Sequence, residues 1–278
     1  MTVKFWGVRG SIPSPGLSTA RYGGNTSCVS IHLGQNKILV LDAGTGIREL
    51  GKTLVSDNTD IFVLVTHIHW DHIQGFPFFL PIYQRDRVVY VFPYQQGKTM
   101  FNSLISQMDG AHFPVSMDHL PSKYRIITED VITFMRDHGF NVSRVGTNHP
   151  GGAYGYRVEN NGRVVVYLTD NELDPPYEKA NDFNTFVRFC SGADVLIHDA
   201  QYTERDMPQK YGWGHSLVSQ ACKLAAEAGV KHLVLYHHDP ERTDDQLDSI
   251  QEDARSWFKK NNPRIHCTAA YESLLLDI

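Results

Sequence analysis

The chain has 278 residues, of which 41% are hydrophobic and 11% aromatic, enough to bury one large core or two small ones. The net charge is -5 and no lysine or arginine run exceeds two residues, which argues against a protein that grips long nucleic acids through a broad basic face. No apolar run approaches the ~18 residues of a membrane helix, and the N-terminus has no apolar signal segment. We therefore expect a cytoplasmic protein that does not contact membranes.

The four cysteines are Cys28, Cys190, Cys222 and Cys267. They are far apart and form no paired spacing, so neither a disulfide framework nor a cysteine zinc knuckle is indicated. We expect them to be thiols in the core.

Short β-branched or aromatic runs bounded by turn residues predict strands. In chain order they are residues 4–8, 27–33, 37–44, 61–67, 154–159, 163–170, 194–200 and 232–238. An apolar period near 3.6 residues predicts helices over 98–108, 215–229 and 244–260. Strands and helices thus alternate in the second half. Because no repeat, low-complexity tract or linker interrupts the chain, we expect a single α/β domain over residues 1–278.

The stretch THIHWDH, residues 66–72, follows the apolar run IFVLV directly. Such a run is typical of a buried strand, and loops at the carboxyl ends of strands are where open α/β sheets hold their chemistry. A bland polar turn would use Gly, Asn or Ser, whereas His67, His69, Asp71 and His72 are all potential metal ligands. Positions 67 and 69 can point the same way from an extended segment, and 71 and 72 begin another turn, which suits two neighbouring metals better than one.

This pattern resembles the metallo-β-lactamase-fold hydrolases, whose signature is His-x-His-x-Asp-His after a buried strand. Expected companions follow in order: His149 in GTNHPGG, Asp170 in VVVYLTDN and His237 in LVLYHHD. Asp42 in LVLDAGTG resembles the family aspartate that orients ligands without binding metal. The resemblance covers residues 3 to about 240 and implies an αββα sandwich of two mixed sheets flanked by helices.

The resemblance also implies which residue holds which metal. His67, His69 and His149 would bind one ion, Asp71, His72 and His237 the other, and Asp170 both. Five imidazoles and two carboxylates suit Zn²⁺ first, with Mn²⁺ or Fe as alternatives. His238 remains an alternative to His237, although the first residue after a strand is the better candidate.

Two further residues resemble the phosphodiesterase branch that contains ribonuclease Z: Asp199 in VLIHDAQY and His215 in GWGHS. There the histidine lies beside the phosphate and a carboxylate partners it. A protonated imidazole can donate the proton that an alkoxide leaving group requires. We expect His215 to do so, with Asp199 holding it and Asp71 also in the catalytic set. Asp199 stands where ribonuclease Z usually has glutamate, which leaves its reach open. The bland alternative is that His215 only caps the following helix, which Ser216 could cap alone.

The opening loop WGVRGSIPSPG with YGGNTSC resembles that of ribonuclease Z-like and cyclic-phosphate phosphodiesterases. Arg9, Ser11 and Asn25 could donate hydrogen bonds to a phosphate or a nucleobase. A tight turn whose arginine is solvated is the alternative.

Only 21 positions separate His149 from Asp170, and they predict one hairpin with its turn at ENNGR. The tRNA-trimming ribonuclease Z enzymes insert a long basic arm between these motifs. The missing arm and the sequence pI near 6.3 favour a small cyclic phosphate over tRNA.

Residues between His72 and His149 are harder to interpret. The apolar stretch 75–83 and the turn-rich stretch 107–121 fit either core packing or a lid or dimer surface, because relatives of this kind often pair as homodimers.

The sequence thus predicts a dinuclear metal-dependent phosphodiesterase that hydrolyses 3′,5′-cyclic nucleotides, with a small phosphodiester as its substrate. The alternatives are a ribonuclease Z-like RNA endonuclease or 2′,3′-cyclic phosphodiesterase, and a nucleotide-binding sensor that has lost turnover. A lactamase or thioesterase would have little use for His215 and Asp199.

Overall fold

The computed structural model describes residues 1–34, 36–92, 94–96, 99–101, 103–128 and 130–278. Backbone contacts divide the chain into two compact units. The first unit comprises residues 1–13, 23–134 and 271–278, and the second comprises 14–22 and 135–270. The single domain over 1–278 stays a prediction.

The strands within the described residues are β1 Thr2–Gly7, β2 Cys28–His32, β3 Lys37–Leu41, β4 Asp60–Leu64, β5 Val88–Phe92, β6 Tyr94–Gln96, β7 Thr99–Phe101, β8 Lys123–Ile126, β9 Asn141–Thr147, β10 Ala153–Asn160, β11 Arg163–Leu168, β12 Val195–Asp199, β13 His232–Tyr236, β14 His266–Ala269 and β15 Leu275–Asp277. The α-helices there are α1 Ile47–Leu54, α2 Trp70–Ile73, α3 Ser103–Ser106, α4 Val131–Asp137, α5 Phe183–Cys190, α6 Val218–Ala228 and α7 Asp244–Asn261. Short 3-10 helices cover Leu17–Thr19, Phe76–Phe78, Leu80–Tyr83, Met117–His119 and Glu204–Asp206.

The first unit contains a mixed sheet with strand order β15-β1-β2-β3-β4-β5-β8. Strands β15 to β3 pair antiparallel, whereas β3, β4, β5 and β8 pair parallel. The register aligns Leu41 with Leu64, so the loops after β3 and β4 leave the same edge of the sheet. That edge carries Asp42 and the THIHWDH stretch.

The second unit contains a mixed sheet with strand order β14-β13-β12-β11-β10-β9. Strands β9, β10 and β11 are antiparallel, and β11 to β14 are parallel. The carboxyl ends of β9, β11, β12 and β13 therefore meet at one edge. The α/β fold with two mixed sheets flanked by helices confirms the predicted fold class.

Helices α5, α6 and α7 supply much of the second unit's core. Phe186 of α5, Leu224 of α6 and Phe258 of α7 are almost fully buried, in one cluster with Leu196 and Leu233 of the sheet. Burying side chains of this size contributes roughly 1.5–3 kcal/mol each. All four cysteines are buried free thiols, as predicted.

Strand β14 is the outermost strand of this sheet, and α7 lies beside it. The Nε of Arg255 donates to the Cys267 carbonyl at 2.9 Å, and the Ala269 amide donates to Oε1 of Gln251 at 2.8 Å. Side chains of α7 thus take up two backbone groups that point away from β13.

The eight predicted strands are confirmed, and so is the hairpin, which turns at Asn161 and Gly162 between β10 and β11. The predicted helix over 98–108 is confirmed only at Ser103–Ser106, which form α3, and is wrong at Thr99–Phe101, which form β7; Lys98 and Asn102 lie outside the described residues. Threonine and phenylalanine favour strands, which explains the error at Thr99–Phe101. Within the described part of the chain, no helix is long and apolar enough to cross a membrane.

Candidate metal centre and active site

Asp42 organises the ligand loop of the first unit. It directly follows β3, is fully buried, and adopts a left-handed backbone with φ of 63°. Its Oδ1 accepts the Thr66 amide at 2.7 Å, and its Oδ2 lies 2.8 Å from Nδ1 of His72. That contact fixes the imidazole so that its Nε2 lies 3.2 Å from Oδ2 of Asp71.

His67, His69 and His72 form a cluster of imidazoles. The ring centroid of His67 lies 4.3 Å from that of His69 and 4.3 Å from that of His72. Nδ1 of His67 lies 3.1 Å from the Thr66 hydroxyl, so an outer partner orients this ring too. His67 is 2% exposed and His72 is fully buried, whereas His69 is exposed. His69 therefore marks the side of the cluster that solvent can reach.

Close backbone packing holds Asp71 in place. A Cβ added to Gly44 would lie 2.2 Å from the carbonyl oxygen of Asp71, so only glycine fits at this position. The amide of Ser11 donates to Oδ2 of Asp71 at 2.8 Å. The opening loop thus meets the ligand loop through the backbone of Ser11.

In the second unit, Asp170 lies between two imidazoles. Its Oδ1 is 3.2 Å from Nε2 of His237, and its Oδ2 is 3.6 Å from Nε2 of His149. Asp170 and His237 each come just after a strand in a left-handed backbone conformation, with φ of 50° and 60°. Such backbones are uncommon outside glycine and cluster at functional sites.

The other nitrogen of each imidazole has an outer partner. Nδ1 of His149 donates to the Gly214 carbonyl at 3.0 Å, and Nδ1 of His237 donates to Oε1 of Gln201 at 3.0 Å. Metal-binding histidines show this arrangement, in which an outer acceptor fixes the tautomer and leaves Nε2 for the metal. His72, with Asp42 on its Nδ1, follows the same pattern. The donor sets of both units therefore fit divalent metal ions.

His215 and Asp199 form a close pair beside this set. Nδ1 of His215 lies 2.6 Å from Oδ2 of Asp199, and both side chains are buried. Aspartate therefore reaches His215 where ribonuclease Z usually has glutamate. Asp170, His215 and His237 each offer one ligand atom, and the three atoms lie within 4.8 Å of one another. The pair thus lies close enough to the ligand set to act on the same bound group.

His215 does not cap helix α6, because the residue at the N-cap position is Leu217. Helix α6 begins only at Val218, so residues 215–217 of the predicted helix lie outside it, and Leu217 has an extended backbone. The Ser216 hydroxyl donates to the Asn171 carbonyl at 2.6 Å rather than capping the helix. The Leu217 amide is taken up by Oε1 of Gln220.

His238 faces away from the ligand set. Its Nε2 donates to the carbonyl of Ala270 at 2.8 Å, and its ring meets Tyr22 edge-on at 6.0 Å between centroids. Between the two neighbouring histidines, His237 is the one that lies against Asp170.

The opening-loop residues have different environments. Arg9 is fully buried and its Nε donates to the Gly23 carbonyl at 2.8 Å, which leaves it no surface for direct contact with a substrate. Nδ2 of Asn25 donates to Oε2 of Glu272 at 3.0 Å. Ser11 is exposed and therefore remains accessible to a ligand. The alternative, a tight turn whose arginine is solvated, is wrong because Arg9 is fully buried.

The stretch 75–83 is divided between core and surface. Phe76, Phe79 and Ile82 are fully buried, whereas Phe78 is 54% and Leu80 41% exposed. Core packing therefore accounts for most of this stretch. In the stretch 107–121, Met108 and Met117 are buried, whereas residues 109–112 are exposed.

Three residues near the site were missed by sequence reasoning: Thr66, Gln201 and Glu172. Glu172 is 2% exposed, and its two carboxylate oxygens accept the amides of Gly212 and Gly214. Burial raises the pKa of Glu172, although those two hydrogen bonds oppose the shift. The signal that could have found it is an acidic residue two positions after Asp170, in TDNE, at the end of a buried strand.

Comparison with known proteins completes the description. The beta-lactamase superfamily domain matches residues 37–238. A ribonuclease Z from Picrophilus torridus is 23% identical over 92% of this chain and 91% of its own length. The metallo-beta-lactamase fold protein YhfI from Bacillus subtilis superposes with a TM-score of 0.68 at 18% identity, covering 99% of this chain and 98% of that one. Human tRNase Z, short form, gives 0.64 at 19% identity, covering 100% and 99%. The chain belongs to the beta-lactamase superfamily.

Proposed function

We propose that this protein is a metal-dependent phosphodiesterase with two divalent ions. Following the family pattern, His67, His69 and His149 would hold one ion, and Asp71, His72 and His237 would hold the other. Asp170 would be shared between them, and Asp42 orients His72. The imidazole-rich donor set makes Zn²⁺ the first candidate, with Mn²⁺ or Fe as alternatives. When bound, two such ions neutralise phosphoryl charge and activate a water molecule.

The observation that carries the proposal is the 2.6 Å contact between His215 and Asp199. Oδ1 of Asp199 also accepts hydrogen bonds from the Gln201 amide at 3.1 Å and from the Ser216 amide at 3.3 Å, and these bonds hold the carboxylate in place. A carboxylate on Nδ1 favours the protonated imidazole and holds its Nε2 available as a proton donor. A phosphodiester with an alkoxide leaving group needs such a donor, because the alkoxide is a strong base. Hydrolysis of an alkyl phosphodiester is therefore the reaction that suits this pair.

The relatives support an RNA phosphodiester as the substrate class. Ribonuclease Z from Picrophilus torridus matches along nearly the whole chain, and human tRNase Z shares its fold. A ribonuclease Z-like activity on RNA is thus favoured over the cyclic-nucleotide substrate that the sequence alone predicts.

One observation keeps 3′,5′-cyclic nucleotides as the second candidate. Strands β10 and β11 are joined directly at Asn161 and Gly162, so the segment between His149 and Asp170 is a plain hairpin without an inserted arm. The net charge of -5 also disfavours extended contact with RNA phosphates. A short RNA end or a cyclic phosphate needs neither feature.

A substrate panel tests the proposal. The protein, loaded with Zn²⁺ or Mn²⁺, is given an RNA hairpin with a single-stranded 3′ extension, 2′,3′-cyclic and 3′,5′-cyclic nucleotides, and bis(p-nitrophenyl) phosphate. Variant His215→Ala should lose turnover of the alkyl esters by about 10²–10⁴-fold. Variant His266→Ala, at an exposed position at the amino end of β14 and thus opposite the strand ends that carry the candidate site, is the matched control.

The outcomes separate the candidates. Cleavage of the RNA hairpin supports the ribonuclease Z-like reading, and selective cleavage of 3′,5′-cyclic nucleotides supports the second. Tight nucleotide binding without turnover of any ester would contradict both and favour the sensor. The homodimer and the cytoplasmic location stay predictions.

A further inference from the structure

Residues 212–214 form a loop, Gly-Trp-Gly, that leads directly into His215. Both glycines have left-handed backbones, with φ of 86° at Gly212 and 91° at Gly214. A Cβ on Gly214 would lie 2.2 Å from Nδ1 of His149, so the loop lies too close to that ring for any residue other than glycine. Trp213 between them is 56% exposed. The backbone of this loop, which we call the Gly212–Gly214 loop, faces inward while its one large side chain faces out.

A single buried carboxylate holds the loop by two amides. Oε1 of Glu172 accepts the Gly212 amide at 2.9 Å, and Oε2 accepts the Gly214 amide at 2.8 Å. Hydrogen bonds to a charged acceptor are stronger than neutral ones, and two of them from one carboxylate fix both position and orientation. The carboxylate of Glu172 therefore binds the loop through both of its oxygens, as in a bidentate contact with an arginine side chain.

Glu172 is itself fixed to the strand end that carries His149. Its amide donates to the Asn148 carbonyl at 2.9 Å, and Nδ2 of Asn148 returns a bond to the Glu172 carbonyl at 3.2 Å. Glu172 is thus bonded on one side to Asn148, the residue before His149, and on the other to Gly214, the residue before His215.

The held loop touches both functional imidazoles. The Gly214 carbonyl accepts a hydrogen bond from Nδ1 of His149 at 3.0 Å, which sets that ring's tautomer. The next residue is His215, whose ring lies 5.3 Å from that of His149 between centroids. Any loosening of the loop would therefore disturb a proposed metal ligand and the proposed proton donor together.

From this geometry we infer that Glu172 is a positioning residue, which acts through the Gly212–Gly214 loop to orient His149 and His215. The inference rests on the proposed function for its catalytic consequence but not for its structural one. The carboxylate touches neither substrate nor metal in this role. Its loss should weaken metal binding and slow turnover while leaving the substrate's KM little changed.

Three variants test the inference. Glu172→Gln keeps the shape but faces one amide with a donor instead of an acceptor, and Glu172→Asp keeps the charge at shorter reach. Glu178→Gln, an exposed glutamate six positions along, is the control. The first measurement is amide hydrogen exchange of Gly212 and Gly214 by NMR in the metal-free protein, which needs neither substrate nor ion.

In the unaltered protein, both amides should exchange slowly although they lie in a loop. In Glu172→Gln, their exchange should accelerate by about tenfold or more, and affinity for Zn²⁺, measured by chelator competition, should fall about 10–100-fold. Glu172→Asp should recover part of both losses, and Glu178→Gln should change neither.

Unprotected amides in the unaltered protein would overturn the inference even if every Glu172 variant failed to fold. So would unchanged exchange and unchanged metal affinity in a folded Glu172→Gln. If the variant alters exchange and affinity as expected but the unaltered protein cleaves no phosphodiester, then the proposed function fails and the positioning role stands.

Discussion

Oδ2 of Asp199 and Nδ1 of His215 lie 2.6 Å apart, and neither side chain is more than 8% exposed. A buried carboxylate this close favours the protonated imidazole and restricts its rotation. The pair links the end of β12 to the segment before α6, two elements 16 residues apart in the chain.

The contribution of Asp199 and His215 to kcat should depend on the leaving group of the phosphodiester. Replacing Asp199 with asparagine removes the charge that favours protonated His215. We expect kcat for an alkyl phosphodiester to fall about 10²–10⁴-fold, and kcat for bis(p-nitrophenyl) phosphate to fall far less, because an aryl oxide leaves without a proton. Steady-state kinetics on both substrates measure the difference, with Asp253→Asn on the exposed face of α7 as the control. Equal losses on the two esters would contradict proton donation.

Metal affinity should depend on Asp42, although we do not expect it to bind metal. Asp42→Asn weakens the contact with Nδ1 of His72, which fixes that imidazole. We expect a loss of about 10–100-fold in Zn²⁺ affinity. Competition with a chromophoric chelator measures it, and Asp118→Asn, at an exposed position, serves as the comparison. Unaltered affinity in a folded variant would show that Asp42 does not orient His72.

Gly44 should tolerate no side chain. In Gly44→Ala the new Cβ meets the Asp71 carbonyl at 2.2 Å and the Thr26 hydroxyl at 2.5 Å, so the ligand loop must shift. We expect the free energy of unfolding to fall by about 1–3 kcal/mol or more, together with weaker metal binding. Gly16→Ala, where the nearest atom is 3.8 Å away, should be nearly neutral. Urea denaturation of the two variants gives the comparison, and equal midpoints would refute the packing argument.

Acid should destabilise the protein partly through His232. Burial, with His266 and Arg255 nearby, lowers the pKa of His232 from 6.5 to about 4. The unfolded chain therefore binds this proton as pH falls through 6.5, while the folded protein binds it only near 4. Stability should decrease as pH falls between these values.

The substitution His232→Gln tests this assignment. It removes the titrating group while keeping a polar partner for the Thr268 hydroxyl, which lies 2.9 Å from Nε2 of His232. Urea midpoints at about pH 7.5 and about pH 5 should differ less in the variant than in the unaltered protein. His119→Gln should leave the pH dependence as it is. An unchanged slope in His232→Gln would rule His232 out as the source.

Local sequence patterns were sufficient for the strands and for the ligand motif. Apolar runs such as IFVLV and RVVVYL predict buried strands by composition alone, and polar residues at their ends mark the site. The αββα fold and the residues His149, Asp170 and His237 came from resemblance, because their spacing carries no local signal. Only the motif THIHWDH has chemistry that is legible within a few residues.

What the sequence did not reveal depends on side-chain direction and burial. Arg9 seemed available to a phosphate, but its position inside the opening loop follows from how that loop folds against Gly23. Glu172 and Gln201 act across more than 30 positions of chain, on Gly214 and His237 respectively. Contacts between residues so far apart in the chain produce no periodic pattern in the sequence. Helix α6 also starts later than its apolar period predicts, because His215 and Ser216 bond to Asp199 and Asn171 before the helix begins at Val218.

The covering of β14 by α7 bears on how copies of this protein can associate. An outer strand normally offers its backbone to a strand from another molecule, and continuous sheets between subunits arise in that way. Here Arg255 and Gln251 already bond the backbone of Cys267 and Ala269. For a strand of another molecule to pair with β14, the hydrogen bonds that Arg255 and Gln251 make with its backbone would first have to break. The predicted homodimer should therefore not form by pairing of β14 with a strand of the partner.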